Sequence, residues 1–326
     1  MHSSVSETSQ HQTQKPSRNL AIDRVRGSLV ILMVIGDYLS GINWVPEFLK
    51  HAPDIGFTVA DAVAPAFVFV IGLNFGPSFA RRFAQDSSAA YRYFLTRYLA
   101  LLGVGAIISA GADVVGSEGG WGVLQALGVA GLLTLAVIRT PTWARFLIGL
   151  ALLSGYQYFL DLAMLETVLN TTHGGLFGAI SWAALLILAT AVADIWRQGR
   201  VPFAICIAVL TAAAAVSLLV VPISKHRVSL SFVLVTLALS ALVFLLVELA
   251  GRTVRDRQGL LSWWGQHALA LYLIHLLVLS LFVTPPVDWW YLNVPLWLAA
   301  IELTAILGLM SAFAYWLHRR RTADHS

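Results

Sequence analysis

The sequence predicts an all-α fold, a polytopic transmembrane helical bundle of about ten spans with both termini cytoplasmic. Three observations carry this. Apolar residues make up 58% of the 326 residues and charged residues only 12%, whereas a soluble domain is under half apolar and about a quarter charged. The mean hydropathy is +0.76, and lipid accepts apolar side chains that a soluble core of this size has no room to hide. The few charges that remain are sorted by sign between alternate loops, as the positive-inside rule requires.

The first 17 residues, MHSSVSETSQHQTQKPS, are polar and lack an apolar signal-peptide core. They are expected to form a disordered cytoplasmic tail. Apolar stretches of spanning length follow near 26–43, 57–80, 95–112, 121–138 and 142–160, then 175–196, 202–222, 228–250, 264–283 and 295–317. Arg139 and Pro141 mark the short turn between the fourth and fifth. Residues 18–320 read as one membrane domain, and 321–326 as a short cytoplasmic tail.

Lys15, Arg18, Arg24, Arg26, Arg81, Arg82, Arg92, Arg97, Arg139 and Arg145 fall on one side. So do Arg197, Arg200, Arg252, Arg255, Arg257 and Arg319 to Arg321. Asp54, Asp113, Glu118, Asp161, Glu166 and Asp288 fall on the other. Lys50, Lys225 and Arg227 break the rule by lying on the outer side. They are either tolerated outer positives or a site for an anionic group or a sugar. The net charge of +4 is too small to argue for nucleic acid. The single cysteine, Cys206, excludes a disulfide framework or a zinc cluster within one chain.

Ionisable groups at membrane depth cost several kcal/mol unless paired or hydrated, so they are candidates for function. Asp23 and Arg26 stand three apart, which suits an ion pair at a helix start. Asp37, His51 and Asp61 surround the first outer loop, and a hairpin there can bring an imidazole and two carboxylates together. A carboxylate fixes the tautomer of such a histidine and makes it a general base. His267 and His275 are eight apart and expected on roughly one helix face. That spacing is not a metal motif, since helical pairs are i,i+4, and no metal is expected. Glu248 stands four residues before Arg252 and suits an ion pair; Glu302 has no assigned role. The abundant tryptophans near span ends read as an aromatic belt.

The run RNLAIDRVRGSLVILMVIGD, followed by HAPDIGFTVADAVAPAFVFVIGLNF, resembles the heparan-α-glucosaminide N-acetyltransferase family. GGWGVLQALG, PISKHRVSLSFVL and GQHALALYLIHLL resemble later landmarks of that family, in the same order. The resemblance implies a membrane acyltransferase that takes an acetyl group from acetyl-CoA on the cytoplasmic side. The acceptor it implies is an amino sugar or related glycan on the outer side. His51 matches the catalytic histidine, Asp61 the acidic residue of its G-x-T-x-A-D element, Lys225 the basic residue before the S-L-S helix, and His275 the late-helix histidine. Asp37 stands where the family has an asparagine, and Ala126 where it has an arginine.

These assignments make His51, Asp61 and Asp37 the catalytic candidates. Lys225, His275 and His267 are the substrate-binding ones, and Arg26, Arg81 and Arg82 the candidates for the CoA phosphates. The expected partners are acyl-CoA, the glycan acceptor and the lipid bilayer, with a homodimer compatible. A bacterial inner membrane fits the expected topology. A proton-coupled transporter and an accessory subunit with a decayed site stay open as other readings.

Overall fold

The computed structural model describes residues 19–114, 120–251, 259–285, 287 and 289–323. The expected tail 1–17, with Lys15, lies outside the described residues, as do Arg18, Glu118, Asp288, Arg252, Arg255, Arg257 and the last three residues. The side chain of Asp113 is also outside them.

The fold is all-α, with no strand among the described residues. A helix occupies each of the ten expected intervals. They are α1 (Leu20–Ser40), α2 (Val59–Gln85), α3 (Ser87–Val114), α4 (Val123–Val137) and α5 (Thr142–Phe159). A π-helical turn at Leu160–Met164 leads into α6 (Leu165–Leu169). Then come α7 (Gly175–Gln198), α8 (Arg200–Leu218), α9 (Leu230–Gly251), α10 (Leu260–Gln266), α11 (Ala268–Val283) and α12 (Leu296–Ala323).

Among the described residues, seven helices are long and apolar enough to cross a membrane, or eight with the bent α10–α11 pair counted as one span. The count differs from ten for physical reasons. At 15 residues α4 is about 22 Å long, short of a hydrocarbon core of about 30 Å. α1 carries Asp23, Arg24, Arg26 and Asp37 within its 21 residues.

α7 is the central helix: residues 181 to 193 are buried without interruption. It is apolar on all sides, as a helix surrounded by others must be. Gly72 of α2 lets the two helices touch; a Cβ there would stand 2.5 Å from that of Ala189. Small residues at such crossings replace the hydrophobic drive that lipid removes. A second apolar cluster joins α1 to α10, α11 and α12 through Val30, Val34, Trp264, Leu271 and Ala299.

The sequence reading put His267 and His275 on one face of a continuous helix. The chain instead bends by 91° between α10 and α11, with His267 at the break. The cause is the docking of α10 on α1. A Cβ at Gly265 would lie 1.9 Å from the Asp23 carbonyl oxygen, and the Gly265 carbonyl accepts from Arg26 Nη1 at 3.3 Å.

Candidate functional site

One cavity of about 1710 Å³ runs between the cluster around α7 and the α1–α10–α11–α12 cluster. His51, Asp37, His173 and Lys225 line one end, and Arg26, Arg81, Arg97, Arg197 and Arg321 line the other. Asp61 and Arg81 are twenty residues apart on α2, about 30 Å along the helix. The two ends are thus separated by roughly one hydrocarbon thickness.

At the histidine end, Asp61 is the third residue of α2 and is fully buried. Its Oδ2 accepts from the Thr58 backbone N–H and hydroxyl, both at 3.0 Å, and from the Ala52 N–H at 3.3 Å. This is the carboxylate half of a capping box. Its Oδ1 lies 2.8 Å from His51 Nδ1. One side chain therefore starts the helix and orients the ring. With Nδ1–H donated to Asp61, Nε2 carries the lone pair. His51 is 41% exposed, open to the cavity, while its orienting partner is not exposed at all.

Lys225 reaches this pair from the loop between α8 and α9. Its Nζ stands 3.0 Å from His51 Nδ1, 3.3 Å from Nε2 and 3.8 Å from Asp61 Oδ1. Burial pushes the Lys225 ammonium below the usual lysine range, and the charges of Asp61 and Asp37 partly offset this. The loop is pinned to the α1–α2 loop by the Arg227–Asp54 ion pair, with Arg227 Nε at 2.9 Å from Asp54 Oδ1. The Ser224 hydroxyl donates to the same carboxylate at 2.9 Å. Arg227 holds the Asp54 carboxyl below the ordinary range, against the smaller opposing effect of burial. Val228, at φ 48°, closes the turn, and its N–H donates to the Lys225 carbonyl at 3.0 Å.

Asp37 does not meet His51 in the way the hairpin reading pictured. Its Oδ2 accepts from His275 Nε2 at 3.0 Å, so α1 is tied to α11. The His275 side chain is fully buried, and its Nδ1 hydrogen-bonds the Tyr272 carbonyl oxygen.

Of the other candidates, Arg26 and Arg81 line the cavity, and Arg26 also pairs with Asp23 at 3.4 Å as its spacing suggested. Arg82 is absent from the lining; it lies over the Tyr93 ring and donates to the Ser78 hydroxyl. His267 sits at the α10–α11 bend and does not line the cavity. Ala126 does line it, so the place the family gives to an arginine is the cavity wall. Lys50, one of the basic residues expected on the outer side, pairs with Glu47 at 3.8 Å. Glu302 accepts from the Tyr38 hydroxyl at 2.7 Å, and Glu248 from Trp196 Nε1 at the same distance.

Sequence reasoning missed His173 and three of the arginines, Arg97, Arg197 and Arg321. His173 has φ 53° and is followed by Gly174 and Gly175 at 76° and 63°, three residues of positive φ in a row. Its buried Nδ1 has no hydrogen-bond partner among the described residues, and the ring lies edge-on to Trp182. The glycine pair after a histidine was the available signal, since glycines supply left-handed turns. The arginines were indistinguishable from ordinary positive-inside residues.

Fold and site together define a polytopic membrane protein with an oriented imidazole at one end of a long internal cavity and an arginine cluster at the other. Residues 18–176, just under half of the chain, match the family model described as heparan-alpha-glucosaminide N-acetyltransferase, catalytic. Human heparan-alpha-glucosaminide N-acetyltransferase is 46% identical over 57 residues, which are 18% of this chain and 8% of the human protein. The mouse protein of the same name is 39% identical over 67 residues, 20% of this chain and 10% of the mouse protein. The aligned segment therefore spans at most a tenth of either relative's length.

Proposed function

We propose that this protein is a membrane-embedded acyltransferase. It moves an acetyl group from cytoplasmic acetyl-CoA to a sugar or glycan acceptor on the opposite side of the membrane. One observation carries the reading: a single cavity joins an Asp61-oriented His51 to a cluster of arginines about 30 Å away. The residues at each end suit that division of labour. Arginine pairs with phosphate through its planar fork of donors, so Arg26, Arg81, Arg97, Arg197 and Arg321 suit the phosphates of CoA. The apolar middle of the cavity, including Met33, Val63, Phe67 and Leu101, suits the pantetheine arm. With the arginines cytoplasmic, both termini lie in the cytoplasm, and a bacterial inner membrane is the fitting location.

At the far end the acceptor attacks the thioester carbonyl carbon. His51 Nε2 takes the acceptor's proton as the new bond forms, and passes it to the CoA sulfur as the C–S bond breaks. Asp61 stabilises the imidazolium formed in between. The Lys225 ammonium faces the negative charge that develops on the carbonyl oxygen.

The test is binding of labelled acetyl-CoA to the purified protein, with competition by free CoA, followed by release of CoA when amino-sugar acceptors are added. Saturable, competed binding that is weakened when Arg81 and Arg97 become alanine supports the reading. A cavity reaching both ends also suits a carrier. Absence of donor binding in a folded sample, with acceptor movement into vesicles, favours that alternative.

A further inference from the structure

Lys225 is the one lysine lining the cavity among the described residues; Lys50, although next to His51 in sequence, pairs with Glu47 and does not line it, and Lys15 lies outside the described residues. The Lys225 Nζ is as close to the His51 ring as a substrate nucleophile would need to be, 3.3 Å from Nε2. The approach is built in rather than incidental. The Arg227–Asp54 pair, the Ser224–Asp54 hydrogen bond and the turn closed on the Lys225 carbonyl hold the residue there. A thioester placed for attack under His51 base catalysis is therefore also placed for attack by Lys225.

We propose that Lys225 is a self-acylation site: with donor bound and no acceptor present, the cavity transfers the acyl group to Lys225 Nζ. This rests on the acyl-CoA reading above. In the step, the Nζ lone pair of the uncharged amine attacks the thioester carbonyl carbon and a C–N bond forms. The C–S bond breaks. The amine's surplus proton goes to His51 Nε2 and from there to the departing sulfur, giving free CoA and Nε-acyl-lysine. The uncharged amine this requires is favoured by burial and opposed by Asp61 and Asp37; His51 and His173 are the other titratable groups facing it.

The product has consequences for the same site. An amide nitrogen carries no charge, so the Lys225–Asp61 attraction is lost and the oxyanion loses its facing cation. The amide is also far more stable than a thioester, so acylated protein stays acylated. The device would silence the enzyme when donor is abundant and acceptor is scarce, and a bound acceptor, by occupying the space beside His51, would protect it.

The experiment is tandem mass spectrometry on the full-length protein in detergent after incubation with excess acetyl-CoA and no acceptor. The expected result is acetylation of Lys225 at least about tenfold above Lys15 and Lys50, as proximity dictates. It should be abolished in both His51→Ala and His51→Gln, each shown to be folded by a cooperative thermal unfolding transition. Acetylation should rise with pH, as the uncharged amine fraction rises. Unmodified Lys225 in protein that binds acetyl-CoA and releases CoA with acceptor overturns this inference and leaves the acyltransferase reading standing. Equal acetylation of all three lysines, or acetylation unaffected by the His51 variants, overturns it as bulk chemistry. No acetyl-CoA binding at all overturns the acyltransferase reading, and this inference with it.

Discussion

At the scale of single residues, Asp61 does two jobs that other helices divide between side chains. Its Oδ2 closes the first turn of α2 and its Oδ1 orients His51. Asp61→Asn keeps an oxygen to accept the Thr58 and Ala52 N–H bonds and is therefore expected to lower stability by no more than a lost cap would, about 0.5–2 kcal/mol. It should lower the transfer rate further by leaving the ring in the wrong tautomer. Thermal unfolding and initial rates measured on one preparation separate the two effects. His51→Ala takes a partner from the buried Asp61 carboxylate and should cost about 1–3 kcal/mol of stability, while reducing transfer in the folded protein by about 10²–10⁴-fold, the usual scale for a lost general base. Undiminished transfer would remove His51 from the mechanism. The Asp37–His275 bond is a different case, because it joins two helices. His275→Ala leaves a buried gap and an unpaired carboxylate, and is expected to cost about 1–3 kcal/mol. Asp37→Asn keeps a partner for Nε2 and should cost less, and a reversed order in thermal unfolding would contradict the hydrogen bond seen here.

At the scale of elements, the two loops that carry the candidate site are held together by Asp54, Arg227 and Ser224. The Asp54 carboxyl is held below its ordinary range in the folded protein. A depressed carboxylate contributes stability that is fully present above the unfolded value, about 3.9, and is lost as the pH falls through the folded value. The latch should therefore be intact at neutral pH and weaken only below about pH 4. The ion pair is partly exposed, so Asp54→Asn should cost no more than about 1 kcal/mol of global stability. Its larger effect should be local: faster amide exchange across residues 224–229 and a slower transfer rate at unchanged acetyl-CoA affinity. Unaltered exchange in that loop would show that the latch does not position Lys225.

At the scale of the whole molecule, the α1–α10 crossing determines how the cavity is walled. Gly27 and Gly265 meet the partner backbone so closely that an added Cβ would stand 2.0 Å from the Leu261 carbonyl oxygen and 1.9 Å from that of Asp23. Gly265→Ala must push α10 away from α1. It is expected to destabilise by about 1–3 kcal/mol, as overpacking does, and to weaken acetyl-CoA binding, since Arg26, Gly265 and Gln266 line the arginine end together. Normal binding and stability in that variant would mean the crossing is looser than the packing seen here.

Much of this architecture is local and therefore legible in the chain. Helix positions follow from apolar run length, because a segment in lipid must satisfy its own backbone hydrogen bonds. The Thr58–Asp61 spacing is a capping signature that any reader can find, and His51 stands within reach of it on the same short loop. The Asp23–Arg26 pair is likewise set by helical spacing. What the sequence could not supply are the meetings between distant segments. Lys225 reaches His51 across 174 residues, and His275 reaches Asp37 across 238. The bend at His267 lies where α10 packs on α1 and where Arg26 donates to the Gly265 carbonyl from another helix. Arg97, Arg197 and Arg321 look like any cytoplasmic arginine until packing gathers them at one mouth. The physical reason is common to all of these. Hydrogen-bond periodicity and hydropathy act over a few residues and can be read along the chain, whereas side-chain convergence is decided by how helices cross, which only tertiary packing determines.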